Sequence, residues 1–112
     1  MKAVNKNNNF ILAENLSVAS TFFGRTKGLL GRASLPAGEG LLIEKCASIH
    51  MFFMRFPIDA VFIDKTGRVV HILRDFKPWR ISKIVPYASA VLELPAGTVG
   101  DKVHKDDMII FK

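Results

Sequence analysis

Residues 58–73 read IDAVFIDKTGRVVHIL, and their reading decides the fold. Ile58 to Ile63 is rich in β-branched and aromatic side chains, which fit a pleated, half-buried surface. Asp64-Lys65-Thr66-Gly67 follows, a polar run ending in glycine, the composition of a tight turn. Arg68 to Leu73 then returns to apolar, β-branched residues. Strand, turn and strand in this order predict an antiparallel hairpin.

Working outward from the hairpin, the chain keeps the same rhythm. "PWR" and "VPYAS" are loop segments, "AVLEL" a strand, "PAGTVGDKV" a turn, and "MIIF" closes the chain. Upstream, "ASLPAGEG" is a loop and "LLIEK" a short strand. "FILAENLSVAST" is expected to form a hairpin, with Leu16 and Val18 at period-two spacing. "STFFGRTKGLLGR" is expected to be a helix, capped by Ser20 or Thr21 and ended by Gly31. Its Phe22, Phe23, Leu29 and Leu30 share one arc at helical spacing. "SIHMFFMRF" is apolar at odd and even positions alike, so it is expected to be a central, buried strand, bent at Pro57. Strand–helix–strand alternation is absent, which argues against a parallel sheet. The expected fold is mainly β: a small antiparallel barrel-like or folded-over sheet, with one helix from the N-terminal half packed on it.

The 112 residues suit one domain, and 49% are apolar, enough for a real core. Residues 1–9, with their run of asparagines, are expected to be flexible. A single cysteine excludes an internal disulfide and points to a reducing compartment or to one where disulfides are not needed. The polar run Asn5 to Asn9 interrupts any leader-like apolar stretch, so a cytoplasmic location is expected. No apolar run approaches the roughly 20 residues needed to span a bilayer. Net charge is +6, from sixteen Lys and Arg against ten acids, which favours anionic partners. The charge is dispersed along the chain and no nucleic-acid motif accompanies it, so specific nucleic-acid binding is not expected.

Several residues carry possible chemistry. Cys46 and His50 lie four positions apart. A thiolate beside an imidazole is a nucleophile with its base, or a pair of metal ligands. In an extended strand they would stand about 13 Å apart, so either role needs a bend at Ala47-Ser48. A structural role for both remains the plainer alternative. Arg25 and Arg32, seven apart, lie nearly in line on the expected helix, as solvated residues or directed at a groove beside it. Arg55 and Asp59 flank Pro57, as a buried pair locking a bend or as a polar cluster aimed at a ligand. Trp79 and Arg80 sit together in a Pro-led loop, as a contact pair or a lid. Met51 and Met54 read as core. No GxSxG, P-loop, GxGxxG or HExxH pattern is present.

The expected function is a binding module whose groove of Arg25, Arg32, His50, Arg55, Asp59, Trp79 and Arg80 takes a small anionic ligand or an acidic segment of a partner protein. The alternative is a metal-binding or cysteine-dependent enzyme centred on Cys46 and His50.

The order of segments carries a resemblance. "RTKGLLGR", "GEGLLI", "CASIHMFFMRFPIDAVFID", "GRVV", "VLELPAG" and "GD" together resemble the domain of unknown function 192 family, also called UPF0127. The likeness runs from about Leu16 to Val103. Many members read Phe-Trp-Met-Lys-Asn-Thr where this chain has Phe53-Met54-Arg55-Phe56, and it looks like a shorter branch of the family. The resemblance implies a small, mainly β domain. It implies no established reaction or ligand.

Overall fold

A computed structural model of the protein describes residues 1–21, 24 and 28–112. The hairpin of the opening stretch is its anchor. Strand β5 (Ile58–Ile63) pairs antiparallel with β6 (Val69–Phe76), Val61 opposite Ile72 and Phe62 opposite His71. The turn between them is held by Asp64, whose Oδ1 accepts the backbone N–H of Thr66 at 2.8 Å and of Arg68 at 3.0 Å. Gly67 adopts φ 93°, and a Cβ there would lie 2.6 Å from the carbonyl oxygen of Ile109. The turn demands a glycine for both its backbone angle and its close approach to the last strand.

The remaining strands are β1 (Ala3–Asn5), β2 (Ile11–Ala13), β3 (Asn15–Ala19), β4 (Glu39–Glu44), β7 (Ala90–Pro95) and β8 (Ile109–Phe111). They form a five-stranded sheet in the order β3-β4-β7-β5-β6 and a three-stranded sheet in the order β2-β1-β8. β7 lies in the middle of the larger sheet and is buried on both faces. Leu92 and Leu94 point to one core, together with Leu42, Val61 and Val69, and meet Ala3, Leu12 and Ile109 of the smaller sheet. Val91 points to a second core with Leu41, Ile43 and Phe62, covered by Leu29, Leu35, Ile49, Met51, Met54 and Val85 from loops. One face thus packs against a sheet and the other against irregular chain. That is why the central strands carry near-continuous apolar runs. Each large side chain so buried contributes roughly 1.5–3 kcal/mol.

The mainly β expectation holds among the described residues, and the finer topology differs from it. Neither sheet closes, so the barrel expectation is overturned: β3 and β6 bound one sheet, β2 and β8 the other. "FILAENLSVAST" is not a hairpin. The chain passes from the small sheet to the large one at Glu14, where the N–H groups of Glu14 and Asn15 both donate to Gly38 O. β3 consequently runs parallel to β4, Leu16 opposite Gly40 and Val18 opposite Leu42. The antiparallel expectation fails for this pair.

"SIHMFFMRF" is a loop, not a central strand. It folds over the second core, anchored by buried Ile49, Met51 and Met54, while Phe52 and Phe53 face outward. Phe53 takes φ 65°, which no strand tolerates. A covering loop and a two-sided strand leave the same apolar pattern. Residues 1–9, expected to be flexible, supply β1, the centre of the smaller sheet. Asn5 is fully buried there, donating to Lys102 O at 3.0 Å and to Asp107 Oδ2 at 2.8 Å. Residues 22–23 and 25–27 of the expected helix lie outside the described residues. Gly24 N–H donates to Thr21 Oγ1 at 3.0 Å. The helix's expected end at Gly31 is not found, because Gly28 already has φ 49° and residues 28–31 are turns.

Candidate functional site

An open groove of about 750 Å³ lies beside β6. Its walls carry Arg68, His71, Arg74, Lys83, His104 and Lys105, against the single acid Asp106 among the described lining residues. Strand β6 supplies His71 and Arg74. The loop before β7 supplies Lys83 and Tyr87, and the turn before β8 supplies His104 and Lys105. Arg74 is committed to structure: its Nε donates to Gly100 O at 3.1 Å and a terminal nitrogen to Val103 O at 3.2 Å. Arg68 lies 3.7 Å from Asp64 and 3.9 Å from Asp106, both loose surface contacts. Lys83 and Lys105 have no ion pair among the described residues. Burial lowers the pKa of His71, and the charges of Lys83 and Lys105 lower it further. The groove is therefore a region of positive potential felt by its own imidazole.

Among the described residues, the arginines expected to form a groove do not line a common one. Arg25 lies outside the described residues. Arg32 is exposed and pairs with Glu39 at 3.4 Å. Arg55 is exposed and makes no ion pair with Asp59 among the described residues. Asp59 is 1% exposed, and both its oxygens serve backbone: Oδ1 accepts from Asp75 N–H and Oδ2 from Val99 N–H, each at 2.9 Å. Arg32, Arg55, Asp59, Trp79 and Arg80 line neither the basic groove nor the small pocket described next.

Trp79 and Arg80 do meet the covering loop. Trp79 N–H donates to Met51 O at 2.7 Å and Met51 N–H to Arg80 O at 2.6 Å. His50 stacks on Phe52 with ring centroids 5.3 Å apart, and Phe52 and Phe53 stand 6.3 and 4.9 Å from Trp79. Phe53 and Trp79, at φ 65° and 69°, are held outward by left-handed backbone. Strained residues that display aromatic rings gather at functional surfaces more than elsewhere.

Cys46 and His50 are brought to one place. Lys45 takes φ 53° and the chain bends at Ala47, so both line a pocket of about 70 Å³. The Cys46 thiol donates to Ser48 O at 3.0 Å. Among the described residues no three of His, Cys, Asp and Glu are placed to hold a metal ion. The same pocket contains Glu93, which sequence reasoning missed. Its register on β7, opposite Leu41 and Ala60, turns it to the second core, where it is 5% exposed. Burial raises its pKa to about 7. The signal was legible: "AVLEL" sets one carboxylate inside a strand otherwise apolar on both faces.

The fold and these hollows define a mainly β protein of two open sheets, with a basic groove outside and a carboxylate pocket within. A model of the DUF192 family, described as uncharacterized ACR, matches residues 3–111, and the chain belongs to that family. It is similar to a UPF0127 protein of Pyrococcus horikoshii, 35% identical over 99 residues, covering 84% of each chain. A UPF0127 protein of Thermococcus sibiricus is 31% identical over 86% of this chain, which spans 64% of that protein's length. Among solved structures, a protein of unknown function from Novosphingobium aromaticivorans superposes with TM-score 0.84 at 20% identity, over 98% of this chain and 82% of that one. A putative transcription regulator from Sinorhizobium meliloti superposes with TM-score 0.79 at 22% identity, over 97% and 89%. These structural likenesses concern the fold. Among the described residues no helix is long and apolar enough to cross a membrane.

Proposed function

We propose that the protein is a binding module for a small anionic ligand, one bearing phosphate or carboxylate groups, and that the ligand sits in the basic groove of Arg68, His71, Lys83 and Lys105. The observation that carries the reading is the gathering of Arg68, Lys83 and Lys105 on one open groove, with Asp106 the only acid among its described lining residues. Lys83 and Lys105 make no ion pair among the described residues and, after burial, help to lower the pKa of His71, so a bound anion would supply a counter-charge. The volume, about 750 Å³, lies within the range of small-molecule sites. Tyr87, Val85 and Pro86 give the groove an apolar wall beside its charges.

The reading keeps the anionic partner expected from the net charge and moves it from the arginines of the sequence pattern to the basic groove of Arg68, Lys83 and Lys105. It is tested by calorimetric titration of the protein with pyrophosphate, with citrate and with an acidic decapeptide. Saturable binding of pyrophosphate or citrate is expected, weakened at least tenfold by Lys83→Glu with Lys105→Glu. Binding of the peptide alone would assign the groove to an acidic partner segment instead. Unchanged affinity in the double variant removes the groove from consideration.

A further inference from the structure

The basic groove leaves Glu93 unexplained. This carboxyl group is on the central strand of the larger sheet, 5% exposed; no hydrogen bond or ion pair to it is found among the described residues, and its oxygens open on a pocket rather than being fully sealed. Its neighbours across the pairing are Leu41 and Ala60. A buried polar group without a partner is destabilising unless something binds it. The carboxyl opens on a pocket of about 70 Å³, room for on the order of five water-sized groups. Leu29, Leu30, Ile43, Ile49 and Met54 make most of its wall apolar. His50 stands in its lining and stacks on Phe52, so aromatic rings continue outward from the pocket.

We propose that the pocket closed by Cys46, His50 and Glu93 is a binding site for a primary alkylammonium group, whose charge pairs with the Glu93 carboxylate. The apolar wall takes the methylene chain. The ring series His50, Phe52, Trp79 and Phe53 attracts the cation on its way in. A metal ion is a poorer occupant, because no three suitable donors converge among the described residues. An anion is excluded by the carboxylate itself. The site is independent of the basic groove, opposite in charge, and formed by the other core of the sheet.

Proton linkage follows from the same geometry. With its carboxyl group half protonated near neutrality, Glu93 must ionise to pair with an ammonium ion. Binding at pH 6 therefore releases close to one proton per ligand, and binding at pH 8.5 releases almost none.

The test is calorimetric titration of the intact chain with n-propylammonium chloride, at constant ionic strength, in buffers of different ionisation enthalpy. A ligand of this size is expected to bind with Kd on the order of 0.1–10 mM. n-Propanol should bind at least tenfold more weakly, and Glu93→Gln should lose propylammonium binding while keeping its circular dichroism spectrum. Proton release in the wild type is a second readout that needs no variant. A capped Gly-Lys-Gly peptide distinguishes the source of the amine: tighter binding than propylammonium assigns the site to a lysine of a partner protein, and weaker binding to a free amine. Equal binding of propanol and propylammonium, or no saturable binding of propylammonium by the wild type, overturns the proposal.

Discussion

Asp59 and Val99 lie forty positions apart, yet the carboxylate of one accepts the backbone N–H of the other at 2.9 Å. The second oxygen of Asp59 accepts from Asp75 N–H at the same distance. Asp59 thus fastens the end of β6 and the turn after β7 to the strand between them. Asp75 has φ 51°, so the backbone it belongs to relies on such a tie.

Asp59→Ala orphans both amide groups at a nearly dry site. A loss of about 3 kcal/mol is expected from two bonds to a charged acceptor, partly offset by relaxation. Urea unfolding monitored by fluorescence of Trp79 measures it. A change below about 1 kcal/mol would return Asp59 to the list of ligand-facing residues that the sequence pattern suggested.

Gly67→Ala tests the closure between the two sheets. The added methyl would meet Ile109 O at 2.6 Å on a backbone with φ 93°. The Ile109 N–H to Gly67 O bond, at 2.8 Å, leaves that approach little room to relax. Destabilisation of about 2–4 kcal/mol is expected, with hydrogen-exchange protection lost first in β8. Gly97, also at positive φ (90°), has nothing within 4 Å of an added Cβ. Gly97→Ala therefore isolates the backbone term, and should cost about 1 kcal/mol.

His71 reports the groove. Its pKa is lowered by burial and by Lys83 and Lys105, so the folded protein resists its protonation. Protonation of the unfolded chain near pH 6.5 then removes stability as pH falls, down to the lower folded pKa. An NMR titration should place the His71 midpoint below 6.5, and Lys83→Glu should raise it. Saturating pyrophosphate should also raise it, because the bound anion reverses the sign of the local field. A midpoint indifferent to both would deny that the groove is electrostatically coupled to this imidazole.

Much of the larger sheet was legible in the sequence. IDAVFID, RVVHIL and AVLEL are strand-like runs bounded by turn residues, and β5, β6 and β7 formed there, β6 running on to Phe76. What escaped depends on distant chain. β1 is three residues among lysines and asparagines, and only β8, over a hundred residues later, pairs it along its length. The parallel pairing of β3 with β4 is set by Gly38, which no local pattern in "FILAENLSVAST" reveals. The 48–56 segment misled because a loop anchored by Ile49, Met51 and Met54 is as apolar as a buried strand. For the candidate sites, Cys46 and His50 were legible as a pair, and the bend they needed is present. The basic groove was not, since Arg68, Lys83 and Lys105 come from three separate turns.

Glu93 gives the strongest pH signature. Its folded pKa is raised to about 7 by burial, above the 4.5 of an ordinary glutamate. Below pH 4.5 the group is protonated in both states and contributes no pH dependence. As pH rises toward 7 the unfolded chain ionises while the folded one holds its proton, so stability falls. Above 7 both are ionised and the penalty is constant, about 3 kcal/mol by the size of the shift. Glu93→Gln removes the ionisation and keeps the shape. The variant should match wild type near pH 4.5 and exceed it by roughly 2–3 kcal/mol at pH 8, in urea melts across that range. Saturating propylammonium should shrink the difference at pH 8 from the wild-type side, because it stabilises only the chain that still carries the carboxylate. A constant offset between wild type and Glu93→Gln from pH 4.5 to 8 would mean that the carboxyl titrates normally and that the pocket is wetter than its 5% exposure indicates.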